Sequence, residues 1–169
     1  MSNELNRVSD GQRAVINRYL SSYPVKLGAL ARELGVAIKI SSMRPGVSGQ
    51  ITNEGGQYVI RVNRNEARER QRFTIGHELG HFLLHKNVID SSPNGITDNV
   101  LYRSGASEQI EFEANRLAAD LTMPFDLVQQ KLRSDFQDTI TQASIESLAA
   151  SFEVSKAAME IRLSAFASA

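Results

Sequence analysis

The feature that most constrains this chain is the stretch from Phe73 to His85, FTIGHELGHFLLH. Nearly every position in it that is not histidine is apolar or glycine, and a helix that is apolar all round is a buried helix. The chain has only three histidines, and all three lie here, at His77, His81 and His85. Together with Glu78 they are carried into the interior, where polar groups need partners. Gly76 and Gly80 sit inside the same helix and cost about 1 kcal/mol each relative to alanine. That cost predicts a second element packed very close to this one. The fold has to be built around a central helix that keeps its polar groups inside the protein.

His77-Glu78-Leu79-Gly80-His81 is an H-E-x-x-H pattern. Four residues turn a helix by about 400° and rise about 6 Å, so the two imidazoles share one face. Ring nitrogens so placed can converge on one metal ion at about 2.0–2.1 Å each. Glu78 is adjacent to the first histidine and can reach the open coordination position. There a carboxylate can take a proton from water whose pKa the metal lowers towards about 7. The chain has no cysteine, so the ligand set must be nitrogen and oxygen.

A third protein ligand is needed. His85 is a candidate by type, but it lies about 12 Å of rise from His77 on the same helix. It is expected to line the cleft, touch substrate or tie down the helix end. A better source is the helix predicted over Ser107–Leu121. Glu111 can supply a carboxylate oxygen, and Asn115, one turn on, can orient a ligand imidazole through its other ring nitrogen. Glu113 is the rival of Glu111. The two point about 200° apart, so only one can face the ion. Tyr58, Tyr102, Arg103 and His85 are candidates for contacting substrate or steadying an oxyanion.

The remainder predicts an α+β fold. A small mixed or antiparallel sheet of about three strands packs on the central helix, and the C-terminal part is mainly helical. Val25–Leu34 reads as a short amphipathic helix ended by Gly35, followed by a strand at Val36–Ile40. Gly49–Asn63 reads as a hairpin turning at Asn53–Gly56, with an edge to which an extended substrate could add as a strand. Asn63 or Asn65 is expected to cap the central helix. Lys86–Ala106 has loop composition. Residues 1–24 read as an N-terminal helical segment, 25–133 as the catalytic core and 134–169 as a helical subdomain packed on it.

Lys+Arg and Asp+Glu number 19 each, so there is no overall basic excess of the kind that phosphate binding calls for. Leu148–Ser155 resembles the first half of a helix-turn-helix. However, Glu153 stands at the usual turn glycine, and Gln142–Ala169 carries two basic residues, Lys156 and Arg162, against three glutamates. Direct nucleic-acid binding is therefore not expected. There is no signal-peptide pattern and no apolar stretch of membrane-spanning length, so a cytoplasmic protein is expected. Oligomeric state is not legible.

Two blocks, Arg72–His81 with Leu84-His85 and Glu111–Pro124 (EFEANRLAADLTMP), resemble the ImmA/IrrE family of metallopeptidases. LARELGV near the start, the VIRVN strand and Val154-Ser155 with Arg162-Leu163 are similar to it as well. The likeness runs over about residues 25–165. The departures are mild: Gly76 where alanine is common, Leu117 where phenylalanine is common, and Thr122 where leucine is common. The resemblance implies a zinc peptidase with His77, His81 and Glu111 as ligands and Glu78 as general base. Its implied substrate is a helix-turn-helix repressor, often encoded nearby, whose cleavage relieves repression in stress, DNA-damage, phage or mobile-element responses. The alternative is a non-proteolytic metal-binding regulatory or toxin–antitoxin partner protein, because an H-E-x-x-H pattern shows capacity rather than turnover.

Overall fold

The structure, a computed structural model, describes residues 2–99 and 108–167. After a 3-10 turn at Asn3–Arg7 come α1 (Asp10–Tyr19), α2 (Leu27–Glu33), β1 (Val36–Ser41), β2 (Val47–Glu54) and β3 (Gln57–Asn63). The central helix α3 (Arg68–Leu84) is followed by α4 (Lys86–Asp90) and β4 (Ile96–Asn99). Four further helices complete the described chain: α5 (Glu108–Thr122), α6 (Phe125–Phe136), α7 (Gln142–Phe152) and α8 (Lys156–Ala167). The class is α+β, as expected.

Among the described residues the sheet has four strands, in the order β1-β3-β2-β4. β1 runs parallel to β3, with Val36 beside Tyr58 and Ser41 beside Asn63. β2 runs antiparallel to both β3 and β4. The predicted hairpin is β2–β3. It turns at Gly55 and Gly56, whose φ values of 63° and 93° favour glycine. Asn53 Oδ1 accepts the Gly56 N–H at 2.8 Å across the turn.

Three expectations are corrected. The stretch read as loop from Lys86 onward contains α4 and the fourth strand. Its turn-forming residues are confined to the short SSPNG run, and the flanking Ile89 and Ile96 are buried. The hairpin offers no free edge, since β2 and β3 are each paired on both sides. The edge strands among the described residues are β1 and β4. Finally, α3 starts later than expected, with Ala67 at its cap position. The Asn63 side chain is used elsewhere. Its amide donates to Val47 O at 2.8 Å, and its Oδ1 accepts the Asn65 N–H at 3.0 Å.

Two apolar clusters hold the layers together. The first joins Leu5 and Ile16 of the N-terminal segment to Ile51 and Ile60 of the sheet, Leu79 of α3 and Leu117 of α5. Each such fully buried side chain contributes about 1.5–3 kcal/mol relative to exposure. The second cluster packs α6, α7 and α8 around Val128, Leu148, Phe152 and Met159.

Polar links tie the second cluster to the first. Arg162 on α8 donates to Asp120 Oδ1 and to Met123 O, both at 2.9 Å. Glu153, in the left-handed conformation at φ 53°, contacts Arg68 and Arg72 of α3 at 3.1 and 3.5 Å. The turn that glycine usually makes is thus made by a glutamate whose carboxylate is held by α3.

The element predicted to lie close to the central helix is α5. A Cβ built on Gly80 would lie 3.1 Å from both Cα and O of Ala114, and one built on Gly76 would lie 3.3 Å from Ala118 Cα. On the opposite side β2 approaches just as closely. A Cβ on Gly49 would lie 2.5 Å from Thr74 Cγ2 and 3.6 Å from Glu78 Oε1. The central helix is held between α5 and the sheet, and its buried His77, Glu78 and His81 face one or the other of them.

Candidate metal centre

The H-E-x-x-H spacing places both histidine rings on one face of α3, and the close α3–α5 packing brings Glu111 up to them. His77 Nε2 and His81 Nε2 are 3.1 Å apart. Glu111 Oε2 is 3.1 Å from the first and Oε1 is 3.2 Å from the second. Donors on a tetrahedron with bonds of about 2.0–2.1 Å stand about 3.3 Å apart. The three observed separations are close to that edge length, and the donor set of two nitrogens and one carboxylate suits a zinc-sized ion. These residues form a group that could hold a metal ion.

Asn115 is one turn beyond Glu111, as expected, and its Oδ1 lies 2.8 Å from His77 Nδ1. If Nε2 of His77 is the ligand atom, Nδ1 carries the proton and donates to Asn115. That hydrogen bond fixes both ring and tautomer.

Glu78 is completely buried, and neither carboxylate oxygen has a hydrogen-bond partner among the described residues. Burial pushes its carboxyl well above the usual range. The neighbouring His77 opposes this, and the charges of Asp98 and Glu111 add to it. Burial also works against a charged His77. The hydrogen bond to Glu111 and the charges of Glu78, Asp98 and Glu111 outweigh it and raise the ring to about 9. Burial lowers His81. It raises Glu111, but the hydrogen bonds from His77 and His81 carry that carboxyl far below the ordinary carboxylate range.

Sequence reasoning missed Asp98. It lies on β4, and one of its oxygens falls within 4.8 Å of ligand atoms of His77 and Glu78. Nothing in the turn-rich stretch around it marks it out. Its signal is visible only once β4 is known to pair with β2. This second group shares His77 with the first and lacks the second imidazole.

The remaining candidates fall elsewhere. His85 closes α3 as its C-cap rather than extending it by a turn. It meets His81 on the ring side facing away from the cluster, Nδ1 to Nδ1 at 2.9 Å. Burial, aided by the charges of His81 and Arg7, lowers its pKa to about 4. Glu113 faces His85 and not the two other histidines. Its Oε1 is 3.6 Å from His85 Nε2, and its Oε2 is ion-paired with Arg7. Tyr58 donates its hydroxyl to Asp90 of α4 at 3.0 Å and packs edge-on against Phe82. Tyr102 and Arg103 lie outside the described residues.

A groove of about 600 Å³ runs past Asn115 between α3, α5 and α8. Phe73, Phe112, Met123, Phe125 and Ile161 supply its apolar wall. No described helix is long and apolar enough to cross a membrane.

Comparison with curated proteins gives no match. Among solved structures, a Mycobacterium tuberculosis transcriptional regulator is similar, with a TM-score of 0.55 at 16% identity, over 93% of this chain and 47% of that one. The present chain thus spans about half the length of that regulator, and the likeness is one of fold. Residues 31–164 match the family described as Peptidase_M78, IrrE N-terminal-like domain. That match takes in α3 and α5 with every residue of the cluster, and by it the chain belongs to the Peptidase_M78 family.

Proposed function

We propose that this protein is a zinc-dependent endopeptidase of the cytoplasm, and that its substrate is a helix-turn-helix transcriptional repressor encoded nearby. Cleavage would relieve repression in a stress, DNA-damage, phage or mobile-element response. The observation that carries the catalytic part is the state of Glu78. A fully buried carboxylate with no hydrogen-bond partner among the described residues is costly to keep, and it lies beside the His77–His81–Glu111 group.

His77, His81 and Glu111 would hold the ion. A bound zinc supplies Lewis acidity, polarising the scissile carbonyl and lowering the pKa of water. Glu78 moves the proton: one carboxylate oxygen takes it from water and later gives it to the leaving amine nitrogen. Burial of Glu78 raises its basicity for the first transfer. Asn115 keeps the His77 ring turned with Nε2 toward Glu111.

The substrate class rests on the family and on the near-zero net charge, which suits recognition of a DNA-binding protein rather than of DNA. The test is to incubate the zinc-loaded protein with the neighbouring repressor and follow its cleavage, comparing Glu78→Gln. The wild type should cut and the variant should not, although the variant still binds zinc. Full activity in the variant would overturn the role of Glu78. A repressor left intact by the wild type would favour the non-proteolytic regulatory reading.

A further inference from the structure

His85 and Glu113 are both buried and both ionisable, and the reaction proposed above uses neither. They are linked to each other and to the ligand histidine. His81 Nδ1 and His85 Nδ1 are 2.9 Å apart, His85 Nε2 and Glu113 Oε1 are 3.6 Å apart, and Glu113 Oε2 is paired with Arg7. His85 Nε2 is buried and has no hydrogen-bond partner among the described residues, and the Glu113 carboxylate is the acceptor that faces it there.

Two imidazole nitrogens at hydrogen-bond distance require one donor and one acceptor. If Nε2 of His81 is kept free as a ligand atom, its proton sits on Nδ1 and is donated to His85 Nδ1. His85 then carries its own proton on Nε2, directed at Glu113. The charge of Glu113 is in turn held by Arg7, which reaches it from the 3-10 turn at the N-terminus. Every proton position in the row follows from one requirement. The reverse order would put the proton of His81 on Nε2 and close it to an ion.

We propose that His85 and Glu113 are positioning residues. The row Arg7–Glu113–His85–His81 fixes the tautomer and ring angle of His81, as Asn115 does for His77. The inference rests on the reading of His77, His81 and Glu111 as metal ligands. It gives a role to an ionisable pair kept in the core and to the contact of His85 with His81 on the side away from the cluster. Partners of this kind usually change metal affinity by about 10–100-fold when removed.

The experiment measures zinc affinity by competition with a chromophoric chelator, on the full chain, for wild type, His85→Leu, His85→Gln and Glu113→Gln. Thermal unfolding of the metal-free proteins serves as the control for folding. His85→Leu should bind about 10–100-fold more weakly. His85→Gln, whose amide oxygen can accept the His81 proton, should recover most of that loss. Glu113→Gln should fall between His85→Leu and wild type.

Long-range nitrogen–proton NMR of the zinc-loaded wild type should show His85 protonated on Nε2 alone. That reading does not depend on any variant folding. His85 protonated on Nδ1, His85→Leu binding as tightly as wild type, or His85→Gln no better than His85→Leu would each overturn the proposal. A wild-type chain that takes up no zinc overturns the metal-site reading itself, and the row falls with it.

Discussion

Gly80 of α3 lies directly against the backbone of Ala114 of α5, so close that a Cβ on Gly80 would stand 3.1 Å from both Cα and O of Ala114. Gly80→Ala gains about 1 kcal/mol of helix propensity. It also needs room that only a shift of α5 can give, because the atoms in the way are backbone. Ala114 is three residues from Glu111, so the same shift draws that carboxylate away from His77 and His81. Overpacking of this kind costs about 1–3 kcal/mol, and it should outweigh the propensity gain. Gly80→Ala should therefore lower both the unfolding temperature and the zinc affinity. A variant more stable than wild type with unchanged affinity would show that the close approach is not needed.

Much of this was legible because burial leaves a strong mark on sequence. The run around His77 and His81 could only be an interior helix, and its two glycines announced a close neighbour before α5 was identified as that neighbour. Asn115 followed from helical spacing. Helical spacing also said that Glu111 and Glu113 must part, but it could not say which faces the histidines. That choice is made by the close α3–α5 packing, which brings Glu111 up to His77 and His81 and leaves Glu113 to meet His85 and Arg7. Asp98 left no trace because a four-residue strand in a turn-rich stretch has too little periodicity to read. Glu153 was marked as a turn position lacking its glycine, and the reason lies in Arg68 and Arg72, which hold its carboxylate.

Zinc uptake should release protons. In the metal-free site His77 is raised to about 9, so at neutral pH the ring holds a proton that an ion must displace. Glu111 is shifted the other way and is already a carboxylate. Below about 9, protons compete with the ion, and apparent affinity should rise as pH rises from 6 towards 9. Titration calorimetry in two buffers of different ionisation heat gives the count. At least one proton per zinc is expected at pH 7, and a count of zero would contradict the charge pattern of the site.

Asp120 should be among the residues least tolerant of change. It is 2% exposed, accepts from Arg162 of α8, and receives the backbone N–H and the hydroxyl of Ser2. Asp120→Ala would leave the Arg162 guanidinium, itself largely buried, facing the interior without its carboxylate. Breaking a buried pair in this way costs about 3–5 kcal/mol. Chemical denaturation of the variant should show a loss of that order, whereas Arg133→Ala, which removes an exposed pair with Asp138, should change stability by less than about 1 kcal/mol. Equal effects of the two would remove the distinction.

The groove past Asn115 predicts a separation of binding from turnover. Phe112 is 58% exposed and Ile161 is 74% exposed, and they line that groove from α5 and from α8. Large apolar side chains left in water gain most when a protein segment covers them, about 25 cal/mol for each Å² removed from solvent. Neither residue touches His77, Glu78, His81 or Glu111 through any described hydrogen bond or ion pair. If the proposed repressor is the substrate, Phe112→Ala and Ile161→Ala should each raise its KM about five- to tenfold, equivalent to about 1–1.4 kcal/mol, with kcat and zinc content unchanged. Steady-state kinetics at several repressor concentrations would separate the two constants. An unchanged KM in both variants would place the substrate elsewhere, and a fall in kcat alone would tie the groove to the chemistry instead of to recognition.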